Sequence, residues 1–316
     1  MVDTKNYAVP NPPIPTNHKL ESPRGPHLAT RLWKPTTAKP TCLILLVHGS
    51  GWHSGYFDAF AKHLATELGA LVASYDQVNC GYSDREPGSP RNCTYIRCME
   101  DLVEDVFAAL EWATLEAAEI TKEPLPMFLL GESWGAPQVI NAAFDAPEQN
   151  ITLSGVISLG GLVRVGDSLL PPAWVVKVLC WLANYYPKTA MPAVDTESSF
   201  DDAFGDQKWA QTARADPKVV LKTTPTLSGV AAMLSAGDYI LEHASKFPVP
   251  FLAIHSRLDV RTKADAMQEF CDKVGDKATL IMVDTTGHQL LQDVPKVTNQ
   301  VIQDVCAWLE KQLTTK

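Results

Sequence analysis

The sequence predicts an α/β fold: a mostly parallel central sheet flanked by helices, with one helical insertion. Three observations carry this. Apolar runs of strand length alternate with amphipathic runs of helix length along 28–161 and again along 228–313. Such repetition implies parallel strands covered on both faces. Met127–Leu130 has no polar break, as in a strand buried on both faces. It leads through Gly131-Glu132-Ser133-Trp134-Gly135 into Val139, Ile140, Ala142, Ala143 and Phe144, which recur at helical spacing. The alternation then breaks after Gly161 and returns near Ser228.

The elements follow in order. Residues 1–26 hold Pro10, Pro12, Pro13, Pro15, Pro23 and Pro26 among polar residues and read as an extended or partly disordered arm. Leu28–Trp33 is a candidate edge strand. Cys42–Val47 is a central strand that ends in His48-Gly49-Ser50-Gly51. Phe57–Leu68 gathers Phe57, Phe60, Ala61, Leu64 and Leu68 on one helical face. Leu71–Tyr75 is the next strand, followed by a loop over 76–90. Met99–Leu115 is a helix through Leu102, Val103, Val106 and Leu110. Leu153–Leu159 is a further strand beyond the Ser133 helix. Residues 162–225 carry Pro171, Pro172, Pro187, Pro192, Pro217 and Pro225 and no clear strand. Ser228–Phe247 is a helix, Val249–His255 a strand, Lys263–Val274 a helix, Ala278–Val283 the last strand and Val294–Leu313 the closing helix. The expected divisions are an arm over 1–26, a core over 27–161 and 226–316, and a helical lid over 162–225. Ligands of such sheets bind beyond the carboxyl ends of the strands. The 48–51 loop, the loop after Tyr75 and Ser133 should therefore share one rim.

Composition excludes some functions. With 316 residues, 46% hydrophobic and 20% charged, the chain can bury a large core. A formal charge of −9 argues against nucleic acid as the main partner. The seven cysteines, at 42, 80, 93, 98, 180, 271 and 306, form neither a zinc pattern nor a disulfide framework. The first residues lack the apolar run of a secretory signal. A reducing cytoplasm is the expected compartment, and the sequons at Asn92 and Asn150 then carry no glycan.

Strand, tight turn and helix around Gly131–Gly135 form the context in which G-x-S-x-G lifts a nucleophilic serine above a sheet. A serine hydroxyl is a weak nucleophile near neutral pH. It needs a base, usually His, oriented by a carboxylate. On a fold of this kind the acid and then the His follow the Ser along the chain. Val249–His255 runs out into Ser256-Arg257-Leu258-Asp259, and Ala278–Val283 runs out into Asp284-Thr285-Thr286-Gly287-His288. Ser133, Asp259 and His288 are thus in the required order, each on a strand-end loop. Asp284 lies too near its strand end to stand behind the imidazole, and Asp238 is on a helix. His48, His53, His243 and His255 lack the position after the last strand. For the oxyanion, the expected donors are the N–H of Trp134, next after the serine, and that of Ser50 in the glycine loop. Loss of one such donor typically costs ~3 kcal/mol of barrier. No metal or organic cofactor is needed.

These stretches resemble the α/β-hydrolase fold, and within it the monoglyceride lipases with their lysophospholipase-like and caffeoylshikimate esterase relatives. The likeness lies in Trp33-Lys34-Pro35, His48–Gly55, Gly81-Tyr82-Ser83, Gly131–Gly135, Pro250–His255 up to Asp259, Gly287-His288 and Asp293–Asn299. It implies Ser133, Asp259 and His288 as the triad, Ser50 and Trp134 as oxyanion donors, and residues near 162–225 as a lid. The lipases commonly carry Glu after the glycine loop and Arg shortly beyond, which help hold the glycerol head. Trp52 and Tyr56 stand there instead.

The stretch from Ser168 to Tyr186 is strongly apolar but short, broken by proline, and contains Lys177, so it does not read as a membrane span. Its apolar face has two readings: packing on the body, or an exposed patch that meets a membrane or lipid droplet and admits an acyl chain. Candidate pocket residues are Trp52, His53, Tyr56, Leu169, Leu170 and Trp174. The expectation is a serine carboxylester hydrolase acting on lipophilic esters such as monoacylglycerol or lysophospholipid. The alternatives are an esterase or thioesterase for small or aromatic acyl compounds, cleavage of an N-terminal amide, and a non-enzymatic ligand receptor.

Overall fold

The computed structural model describes residues 19–36, 39–90, 95–191, 200–220 and 225–314. Most of the expected N-terminal arm, Cys93 and parts of the insertion lie outside them. Among the described residues, eight strands form one sheet in the order β1-β2-β4-β3-β5-β6-β7-β8. The strands are β1 (Lys19–Glu21), β2 (His27–Trp33), β3 (Leu43–Val47), β4 (Leu71–Tyr75), β5 (Met127–Glu132), β6 (Gly155–Leu159), β7 (Phe251–Ser256) and β8 (Ala278–Val283). β1 and β2 are antiparallel to their neighbours; every other pairing is parallel.

The edge differs from the sequence expectation. β2 is not outermost, because β1 pairs along it with Leu20 opposite Leu28. The end of the expected arm is therefore part of the sheet. Ser22, just past β1, is buried and donates to Asp105 (2.5 Å), and Arg24 pairs with the same carboxylate. Those two polar contacts, with a partner 80 residues away, fix a stretch whose own composition reads as a loose arm.

Among the described residues, eight helices flank the sheet or its rim: α1 (Asp58–Glu67), α2 (Met99–Ala118), α3 (Gly135–Asp145), α4 (Ala173–Ala183), α5 (Gln207–Ala215), α6 (Leu227–His243), α7 (Ala264–Val274) and α8 (Pro295–Thr314). The period-2 alternation of the strands decides which helices cover which face. Leu43, Leu45 and Val47 of β3 face α2, α3, α6 and α7, whereas Ile44 and Leu46 face α1 and α8. Nearly every central-strand residue is buried. This is why those strands read as continuous apolar runs rather than as alternating ones. α5 lacks an apolar run and was not expected; Asp206 starts it by accepting from the Lys208 N–H, and Trp209, Ala210 and Ala213 are its buried residues. Among the described residues, no helix is long and apolar enough to cross a membrane.

Candidate active site

β5 delivers Ser133 to the rim through a turn whose glycines are required sterically. A Cβ on Gly131 would lie 2.4 Å from the Gly135 carbonyl oxygen, and one on Gly135 only 2.1 Å from that of Val47. Ser133 itself has φ 51°. The left-handed region costs a non-glycine residue about 1–2 kcal/mol. Bonds from Ser133 N–H to Leu159 O (2.9 Å) and from Leu162 N–H to Ser133 O (3.0 Å) hold it there.

The loops after β7 and β8 bring Asp259 and His288 to this serine. His288 Nε2 lies 2.8 Å from Ser133 Oγ, and its Nδ1 lies 2.6 Å from Asp259 Oδ2. The line matches a base poised on a hydroxyl and oriented by a carboxylate. Asp259 also accepts from the N–H groups of Arg261 (2.7 Å) and Thr262 (3.1 Å) and from Thr262 Oγ1 (2.9 Å). Burial acts to raise its pKa. The opposing pull of His288, by charge and by hydrogen bond, with His255 and the Arg261 N–H, leaves it below the usual carboxylate range. The competing acids are elsewhere: Asp284 is exposed and pairs with Arg257, and Asp238 is exposed on α6 and pairs with Arg164.

Ser50 and Trp134 line the same pocket beside Ser133. Gly49 packs so close that a Cβ there would be 3.1 Å from Ser133 Cβ. Trp134 is the N-cap of α3, so its N–H has no intrahelical acceptor. The glycine loop is set by a buried polar network that sequence reasoning did not identify. His48 Nδ1 bonds to Gly49 O (2.7 Å), and its Nε2 accepts from Gln77 N–H (2.9 Å). Gln138 on α3 joins Gln77 (2.9 Å) to the Trp134 carbonyl (3.0 Å). Burial pushes the His48 pKa down to about 4, so it serves here as a neutral strut. Only the pairing of these distant residues reveals the network; no local pattern marks it.

The pocket is lined mainly by apolar side chains. Leu162, Val165, Leu169, Leu170, Met191, Met233 and Leu234 line it, together with Trp52, Phe200, Phe204 and Val219, which belong to one apolar cluster. Trp52, Leu169 and Leu170 are thus at the cavity. His53, Tyr56 and Trp174 are not among the residues that line this cavity. His53 is fully buried and turned toward Asp216 (2.9 Å). Tyr56 forms a second layer, stacked behind Trp52 with ring centroids 4.0 Å apart. Trp174 is 71% exposed on the outer side of α4. Among the described residues, no cluster of His, Cys, Asp and Glu could hold a metal ion.

Residues 38–295 match the family model described as serine aminopeptidase, S33. The monoglyceride lipases of mouse and human are each 26% identical, over 293 and 295 residues, covering 92% of this chain and 88% and 89% of theirs. Among solved structures, a soluble variant of the monoglyceride lipase of Saccharomyces cerevisiae, in complex with a substrate analog, superposes with a TM-score of 0.76 at 19% identity, covering 97% of both chains. A thermostable carboxyl esterase from Bacillus coagulans, bound to glycerol, gives 0.76 at 17% identity, covering 95% of this chain and all of the other. The eight-stranded sheet is that of the α/β-hydrolases, and the chain, a hydrolase whose curated relatives include monoglyceride lipases, belongs to the serine aminopeptidase S33 family.

Proposed function

We propose that the protein is a serine carboxylester hydrolase for lipophilic esters, with monoacylglycerol or lysophospholipid as the leading substrate class. The observation that carries this is the line Ser133 Oγ–His288–Asp259, at 2.8 and 2.6 Å, opening into an apolar pocket. Ser133 Oγ attacks the ester carbonyl carbon while His288 Nε2 takes the hydroxyl proton. Asp259 holds the imidazole and stabilises its charged form. The N–H groups of Ser50 and Trp134 receive the oxyanion. Collapse breaks the bond to the alkoxy oxygen, and His288 gives that oxygen the proton, releasing the alcohol. A water activated by His288 then attacks the acyl-enzyme and frees the fatty acid and Ser133.

The lining of Leu162, Leu169, Leu170, Met191 and Met233 suits an acyl chain, and the named activity of the mammalian relatives supports a monoacylglycerol. One observation favours a second reading. Trp52, backed by Tyr56 and flanked by Phe204 (centroids 5.9 Å), offers an aromatic surface where a glycerol head would need hydrogen-bonding partners. That surface suits an aromatic or apolar alcohol. Hydrolysis of a panel of monoacylglycerols, lysophosphatidylcholine, p-nitrophenyl laurate and p-nitrophenyl acetate separates the readings. Monoacylglycerol turnover that rises with chain length supports the first, and turnover confined to short or aromatic esters supports the second. In either case Ser133→Ala lowers kcat by on the order of 10⁴-fold or more; retained activity in that variant contradicts both.

A further inference from the structure

We propose that Asp216, in the insertion, is a positioning residue that holds the oxyanion loop in register through His53. The inference rests on the proposed role of the 48–51 loop. Asp216 follows the C-terminal end of α5. The partial negative charge of a helix C-terminus disfavours a carboxylate, and its local bond, from the Lys218 N–H as in an Asx turn, uses Oδ1 alone. Its other partners lie across the chain. Asp216 Oδ2 accepts from His53 Nε2 (2.9 Å) and from the Tyr56 hydroxyl (3.2 Å), while Oδ1 accepts from the Lys218 N–H (2.8 Å). His53 Nδ1 accepts from the Gly55 N–H (3.2 Å), which fixes the neutral tautomer with the proton on Nε2.

The partners of this carboxylate lie on the stretch that continues the glycine loop. Trp52 stacks on Tyr56, and its N–H reaches back to Gly49 O (3.4 Å). Four residues past Asp216, the Val220 N–H donates to Gly51 O (2.9 Å). The insertion therefore grips Gly51 at its backbone and His53 at its side chain, on the C-terminal side of Ser50. His53 is fully buried, and Gly81 crowds it closely: a Cβ there would come within 2.6 Å of His53 Cβ. If Asp216 lets go, the buried Nε2–H loses its acceptor and the loop loses its side-chain hold at His53. An oxyanion donor works only within about 2.7–3.1 Å of the developing charge. A small shift at Ser50 is thus enough to weaken it.

The test uses Asp216→Asn, which keeps the size but leaves one acceptor oxygen for three donors. Active sites are first titrated to completion with a fluorophosphonate, so that misfolded molecules are not counted. The expected result is a kcat per titrated site lower by about 10- to 100-fold, with KM changed less than about threefold. Affinity for a trifluoromethyl ketone, whose adduct carries the oxyanion, falls by the same factor as kcat. His53→Gln gives a similar loss, and the double variant little more, because the two act as one unit. Wild-type kcat per titrated site in Asp216→Asn overturns the inference. So does a loss confined to the number of titratable sites. Ester hydrolysis that survives Ser133→Ala would instead defeat the reading on which the inference rests.

Discussion

The strain at Ser133 (φ 51°) and the burial of the Asp259 side chain are local costs that the surrounding bonds offset. Glu132 poses a different question. It sits beside Ser133, fully buried, and burial pushes its pKa up from 4.5 to about 8. The amide of Gln289 closes on its carboxyl group at 2.9 Å and can accept from the protonated form or donate to the ionised one. The folded state therefore binds more protons than the unfolded state between those two values, and the contribution to stability falls as pH rises. It is fully present below about 4.5 and lost on passing through about 8. Glu132→Gln should remove this slope. Across that window the wild type loses about 1 kcal/mol per pH unit relative to the variant, read by denaturant unfolding at each pH. Equal pH dependence in both would mean that Glu132 is not neutral in the fold. At this scale Ser133, Asp259 and His288 were legible because each follows a strand in a fixed chain order. Gln77, Gln138, Thr262 and Asp216 were not, since each earns its place from a contact that no spacing announces.

At the scale of elements, the insertion divides into two unlike parts. Residues 200–220 are built into the body: the Ala203 carbonyl accepts from both His288 and Gln289 N–H (2.9 Å each), and Val220 holds Gly51. α4 is different. Ala183 is its one buried residue, while Trp174, Val178 and Trp181, with Tyr185 and Tyr186 just beyond, are exposed. The apolar face is divided, with Leu179 and Leu182 packed on the body and the two tryptophans exposed. Docking on lipid would use an exposed aromatic face of this kind. Trp174→Ser with Trp181→Ser should weaken co-sedimentation with phosphatidylcholine vesicles several-fold. Because both side chains are exposed, stability should stay within about 0.5 kcal/mol, and hydrolysis of dissolved p-nitrophenyl acetate should be unchanged. Undiminished vesicle binding would assign α4 no part in docking. The apolar run of α4 was visible in the sequence; which side of it faces water was not, because Trp, Val and Leu occur all round the helix.

On the scale of the whole molecule, the parallel sheet was legible because central strands buried on both faces must be continuously apolar. The β1 edge escaped notice because three residues carry too little pattern, and their attachment depends on Asp105 in α2. The same sheet sets the chemistry: β5, β7 and β8 end on one rim, so residues 155 positions apart meet at 2.8 Å. On the proposed function, this meeting activates Ser133. The most direct test of that activation is intact-mass and peptide mass spectrometry after a brief exposure to a fluorophosphonate. One adduct per chain is expected, carried by Ser133, absent in Ser133→Ala and slowed by orders of magnitude in His288→Gln. No adduct at Ser133 in the folded wild type, or one on another residue, would contradict it.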